Sequence, residues 1–287
     1  MSVTEGSGKG HKDENFPVAS ALIAPRHRPV VLAFYKVARM ADDVADAPGL
    51  SAADKLEQLA LIEAGVAGRD DRVGEAATLR RVLAAHNLSN VHILELLEAF
   101  RRDAVKTRYA DWDELMDYCR YSAAPVGRFM LDVHGEPRST WPASDALCAA
   151  LQVINHLQDC GKDYREIDRV YVPGDALRAA GLDVTALGEA QASPALREVI
   201  SGLARRTSGL LAVSRRLAPQ VRDLRLALEI GVIQSIAERL DDWLIRRDPL
   251  SERVHLAPLE ALASALAGGA AVIGARVTGR QSRLAAA

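Results

Sequence analysis

The sequence predicts an all-α protein, and three observations carry the prediction. Apolar residues recur three and four positions apart over 30–44, 56–66, 91–105, 147–160, 200–217 and 224–244, the period of helices with one buried face. No strand-like alternation of comparable strength is present. Breakers fall between the runs: Pro25 and Pro29, Pro48 with Gly49, Gly135 to Pro142, Pro173 with Gly174, Pro194, and Pro249 with Pro258. Pro29 is well placed to open a helix, because its fixed backbone angle suits a first turn whose N–H groups are unpaired anyway.

The composition supplies the material for such a bundle. Hydrophobic residues make up 49% of the chain but aromatics only 5%, so the core is built mainly from Ala, Leu and Val, which are compatible with long helices. No fixed-period repeat or sharp shift in composition divides the sequence. A single domain of roughly eight to twelve helices over 14–287 is therefore expected, preceded by a polar, Gly-rich leader at 1–13 that lacks the apolar core of a secretory signal.

Charge and cysteine content exclude several function classes. Lys plus Arg number 36 and Asp plus Glu 38, so a net charge of -2 gives no long-range attraction to nucleic acid. Cys119, Cys148 and Cys160 have no CxxC spacing, which argues against a disulfide framework or zinc site and for reduced, cytoplasmic thiols. The uncharged stretch 261–275 contains three glycines and falls short of a spanning helix, which needs about 20 residues. Core packing is its expected use, with peripheral membrane contact left open.

The chemistry is concentrated in two acidic stripes. Tyr35, Arg39, Asp42 and Asp46 stand at i, i+4, i+7 and i+11 within an apolar segment, and so share one helix face. Asp42 and Asp46 are then about 6 Å apart along the axis and aim at a common volume. Taken alone, this stripe equally suits a solvated face with Arg39 paired to Asp42 or Asp43. Gln152, Asn155, Asp159 and Asp163 repeat the pattern at i, i+3, i+7 and i+11.

Two such helices facing one another across a bundle would gather four carboxylates, whose repulsion calls for cations. Mg²⁺ suits hard oxygen ligands and is usually held by carboxylates together with substrate phosphates. Arg39, Lys162 and Arg165 are available as phosphate donors. A di-iron bundle would require Glu-x-x-His pairs, and the sequence has none. His156 lies off the second stripe and reads as structural, as do His86, His92, His134 and the cysteines.

The segments RMADDVAD at 39–46, YCRYSAAPVG at 118–127 and LQVINHLQDCGKD at 151–163 resemble, in order and separation, three motifs of the squalene/phytoene synthase family. The resemblance runs from about residue 14 to 173, through a lid-like stretch at 163–173 that includes Arg169. It implies a single all-α isoprenoid synthase bundle with a central active-site cavity and Mg²⁺-dependent chemistry on a prenyl diphosphate. Asp42, Asp46, Asp159 and Asp163 are implied as metal ligands. Arg39, Asn155, Gln152, Lys162 and Arg169 are implied as contacts to the substrate diphosphate. Tyr35 and Tyr121 are implied as catalytic cavity tyrosines, where an aromatic face stabilises a carbocation; Tyr118, one turn away, is an equally good packing residue.

Within the family, ENFPVAS at 14–20 and Gln158 before Asp159 resemble the bacterial hopanoid-pathway branch that adds water to the cation from presqualene diphosphate to give hydroxysqualene. Other members carry basic residues at both places, so the sequence disfavours condensation of two diphosphates. Two alternatives stay open: a condensing presqualene diphosphate, squalene or phytoene synthase, and a non-catalytic assembly factor of the same fold. Pathway enzymes upstream and downstream are the natural partners.

Overall fold

The computed structural model describes residues 23–285, with side chains through Thr278. The expected leader at 1–13, and Glu14 and Asn15 with it, lie outside the described residues. Among the described residues, thirteen α-helices and two short 3₁₀ turns account for the regular structure, with no β-strand beyond one isolated bridge between Arg108 and Val170. The six periodic segments are helical, except for a break at Asp159 within 147–160 and a turn at Arg215 and Arg216 within 200–217. The chain divides into two compact units, one comprising residues up to Thr107 with Asp117–Gly135 and the other Arg108–Met116 with the chain from Glu136 onward.

The first unit is built on α1 (Arg28–Asp46), α2 (Ala52–Ala67), α3 (Gly74–Ala85), α4 (Val91–Val105), the end of α5 (Trp112–Ser122) and α6 (Ala124–Val133). Pro29 stands in the first turn of α1, as its sequence position predicts. A reciprocal cap between Ser51 and Asp54 starts α2, and Gly68, with φ of 77°, ends it in a left-handed turn that favours glycine. Val30, Phe34, Val37, Ala41 and Val44 line the buried face of α1 against Leu59, Ile62, Leu79, Ile93 and Leu97. Phe34 stacks on Phe129 at 3.9 Å between ring centroids. This packing commits one side of α1 to the core and turns the acidic stripe away from it. Each fully buried aliphatic side chain contributes about 1.5–3 kcal/mol, which fixes the rotation of the helix about its axis.

The second unit contains α7 (Trp141–Gln158), α8 (Cys160–Ile167), α9 (Gly174–Ala179), α10 (Pro194–Ser214), α11 (Leu217–Gln220), α12 (Leu224–Arg246) and α13 (Pro258–Ala285). Helix α10 packs against α7 and α12, and α13 lies along α12. Ser193 and Asp223 cap α10 and α12 by accepting hydrogen bonds from first-turn backbone N–H groups.

The C-terminal segment departs from the expectation of a short, buried helix. A stretch of α13 from Pro258 to Thr278 is 21 residues, long and apolar enough to cross a membrane, and only 17% of its most apolar window is buried. The glycines that argued against it serve a local contact. Gly268 meets the backbone of Gly231 so closely that a side chain at either position would collide.

Candidate active site

In the first unit, Tyr35, Arg39, Asp42 and Asp46 share α1 as the spacing predicts. Arg39 bridges Asp42 at 3.1 Å and Asp43 at 2.8 Å, which is the pairing the solvated-face reading anticipated. The face is nevertheless not an ordinary solvated one. The Asp42 side chain retains 38% of its accessible surface, so a ligand can reach it, while the protein atoms packed around its carboxyl group disfavour the charged form.

Burial and the neighbouring charge of Asp46, reinforced by Asp103 and Asp43 and opposed by Arg39, push the Asp42 pKa up to about 7. Asp103 belongs to none of the three sequence motifs. It is 7% exposed and accepts a 2.8 Å hydrogen bond from the Tyr118 hydroxyl. Tyr118 is therefore more than a packing residue. The available signal was a carboxylate continuing the buried side of α4, whose Ile93, Leu96 and Leu97 are all buried.

Tyr121 has different company from that expected of a carbocation cradle. The Arg102 guanidinium lies 4.2 Å and that of Arg120 4.7 Å from its ring centroid, and Arg120 donates a 2.8 Å hydrogen bond to its hydroxyl. Its π-system already lies against two guanidinium groups.

In the second unit the acidic motif is not one uninterrupted helical stripe. Helix α7 ends at Gln158, Asp159 forms the joint with φ of -99° and ψ of 6°, and α8 begins at Cys160. The Asp163 N–H still donates to the Asp159 carbonyl at 2.8 Å, so the break is a tight corner. Gln152 and Asn155 precede the corner, while Lys162 and Asp163 follow it.

Gln158 is buried, and its amide donates to the Val254 carbonyl, tying the loop after α12 to the acidic motif. A groove of about 420 Å³ results, lined by Asp159 and Lys162 together with Arg253 and His255. Basic groups that the sequence lacks directly before Asp159 are thus supplied from a loop distant in sequence. His255 has its pKa lowered by burial and by Arg253, against an opposing pull from Asp159.

Behind this corner, His156 stacks on Tyr171 at 3.4 Å, and Tyr171 stacks on Tyr109 at 5.5 Å. Burial first, and then the charge of Arg169, press the His156 pKa down to about 3, so the ring is neutral and structural. Arg169 is 7% exposed, with Nη1 3.5 Å from the Tyr171 hydroxyl and its backbone N–H donating to the Asp163 carbonyl. Cys160 is buried, and burial pushes its thiol up to about 12, in keeping with a packing role.

The donor sets fit a hard divalent cation. Asp42 carries more nearby negative charge than Arg39 relieves, and carboxylate oxygens are the ligands Mg²⁺ takes. Among the described residues no three His, Cys, Asp or Glu side chains form a ready-made cage.

A sequence profile of squalene/phytoene synthases matches residues 9–260. The chain belongs to the squalene/phytoene synthase family. A hydroxysqualene synthase of Rhodopseudomonas palustris is 58% identical over 254 residues, covering 88% of this chain and 87% of that protein. Another from Sinorhizobium fredii is 49% identical over 285 residues, 98% of each chain, and one from Zymomonas mobilis is 52% identical over 266 residues, 92% and 90%. Among solved structures, a squalene synthase of Alicyclobacillus acidocaldarius superposes with a TM-score of 0.71 at 32% identity, covering 80% of this chain and 87% of that one. A dehydrosqualene synthase at 21% identity shares the fold, with a TM-score of 0.75 over 91% and 92% of the two chains.

Proposed function

We propose that this family member converts presqualene diphosphate to hydroxysqualene, with Mg²⁺ assisting the loss of diphosphate and water capturing the cation. The observation that carries the reading is that both paired-carboxylate motifs persist in a chain 49 to 58% identical to proteins named hydroxysqualene synthase. A non-catalytic protein of this fold would have no need of four such carboxylates.

In this reading Asp42, Asp46, Asp159 and Asp163 hold Mg²⁺, which when bound neutralises the departing diphosphate. Arg39, Asn155, Gln152, Lys162 and Arg169 orient the phosphate oxygens, joined by Arg253 from the loop that Gln158 tethers. Buried Arg169 has little freedom to lose on binding, because its backbone N–H and its guanidinium are already positioned against Asp163 and Tyr171.

Tyr35 presents the aromatic surface to the cation. Tyr121 is assigned to positioning Arg102 and Arg120, since a carbocation beside two guanidinium groups would be repelled. Arg253 and His255 remove any argument for this branch from a shortage of basic groups beside Asp159, so its support comes from the relatives. The test is product identification with presqualene diphosphate and farnesyl diphosphate supplied separately.

A further inference from the structure

Arg253 is exposed, yet the loop that carries it is pinned on both sides. After it, Val254 is buried and its carbonyl accepts a hydrogen bond from the Gln158 amide. Before it, Asp248 is 7% exposed and holds the first turn of the loop. Its Oδ1 accepts the Leu250 N–H at 3.0 Å, while Oδ2 accepts the Ala192 N–H at 2.9 Å and the Ser251 hydroxyl at 2.8 Å. The Asp248 carbonyl accepts the Glu252 N–H at 2.8 Å. Leu250 is thereby seated on α8, its Cγ 3.4 Å from where a side chain on Gly161 would begin.

Residues 249–255 all line the groove beside Asp159, whereas Asp248 does not. Any effect of Asp248 on a ligand therefore passes through them. Both of its carboxylate oxygens are engaged, and among the described residues their donors are neutral, so these hydrogen bonds are what offsets burial of the charge. Ala192 lies two residues before α10, which packs against α7, so the tie anchors the loop to the same helical frame that carries Gln152 and Asn155. An arginine on an untethered loop would have to be ordered each time a diphosphate bound. One whose backbone is fixed at residues 248 and 254 is held near its ligand beforehand.

We propose that Asp248 is a positioning residue for the diphosphate subsite, its carboxylate setting the loop that presents Arg253 beside Asp159 and Lys162. This rests on the reading of that groove as part of the diphosphate site. Asp248→Asn keeps the size of the side chain but leaves it one acceptor oxygen, so the tie to Leu250 or the tie to Ala192 and Ser251 is lost.

The experiment is calorimetric titration of the full chain with inorganic pyrophosphate and Mg²⁺, in a cycle of Asp248→Asn, Arg253→Gln and the double variant, with circular dichroism on each. Arg253→Gln should weaken pyrophosphate binding about tenfold. Asp248→Asn should weaken it about fivefold at unchanged helical content, and should add less than about twofold once Arg253 is already Gln. Ser251→Ala removes one exposed donor and serves where Asp248→Asn disturbs the fold: its loss of about twofold should likewise vanish beside Arg253→Gln. A parent that ignores pyrophosphate, or an Arg253→Gln variant that binds it as the parent does, would overturn the subsite and the positioning role with it. Unchanged affinity in Asp248→Asn, or a loss of the same size whether or not Arg253 is present, would overturn the positioning role alone and leave the subsite standing.

Discussion

The Tyr118 hydroxyl donates a 2.8 Å hydrogen bond to Asp103, a buried carboxylate whose charge adds to the field that resists ionisation of Asp42. The second motif thereby supports the first. Tyr118→Phe would leave Asp103 without this donor and should cost about 1–3 kcal/mol in chemical denaturation. Tyr121→Phe, which loses one contact with Arg120 at the surface, should cost no more than about 1 kcal/mol. Equal stability of the two variants would remove Asp103 from the account.

Asp42 gives a pH signature. Its folded-state pKa of about 7 lies above the ordinary carboxylate value of 3.8, so between these values the folded chain holds a proton that the unfolded chain has released. Its contribution to stability is present at low pH and is lost as pH rises through about 7. In the absence of Mg²⁺, Asp42→Asn should melt above the parent near pH 8 and show little difference near pH 4. Adding Mg²⁺ with a diphosphate ligand should stabilise the parent and reverse that order. Melting curves that keep the same separation at both pH values would contradict the assignment.

Either carboxylate pair alone leaves the proposed metal–diphosphate contacts half made. Asp46→Asn and Asp163→Asn should each lower turnover by about a hundredfold or more while helical content is unchanged. Steady-state rates with circular dichroism on the same samples provide the check. Near-parental Mg²⁺-dependent rates in both variants would be incompatible with the site.

The loop tethered by Gln158 should behave as part of the diphosphate subsite. Arg253→Gln is expected to raise KM for presqualene diphosphate by roughly tenfold with a smaller change in kcat, because a phosphate contact made in both ground and transition states is lost. An unchanged KM would confine Arg253 to the surface of the groove.

The fold was legible because its signal is periodic. The helices at 28–46, 141–158 and 224–246 follow directly from apolar spacing and from prolines and caps at their ends. The α1 stripe was equally legible, since a helix of regular pitch makes sequence spacing equivalent to position. The corner at Asp159 was not, because its single non-helical residue leaves the i+4 hydrogen bond across it intact. Nor were Asp103 and Arg253, which reach their neighbours by tertiary contact and belong to no local motif. The exposure of α13 was hidden for the same reason: its apolar content was readable, but which side α12 would cover was not.

Product analysis with presqualene diphosphate and Mg²⁺, with and without NADPH, tests the central claim most directly. The full chain should yield hydroxysqualene at a rate and purity that NADPH leaves unchanged, and should make no presqualene diphosphate from farnesyl diphosphate alone. Formation of presqualene diphosphate from farnesyl diphosphate, or of squalene only when NADPH is supplied, would contradict it.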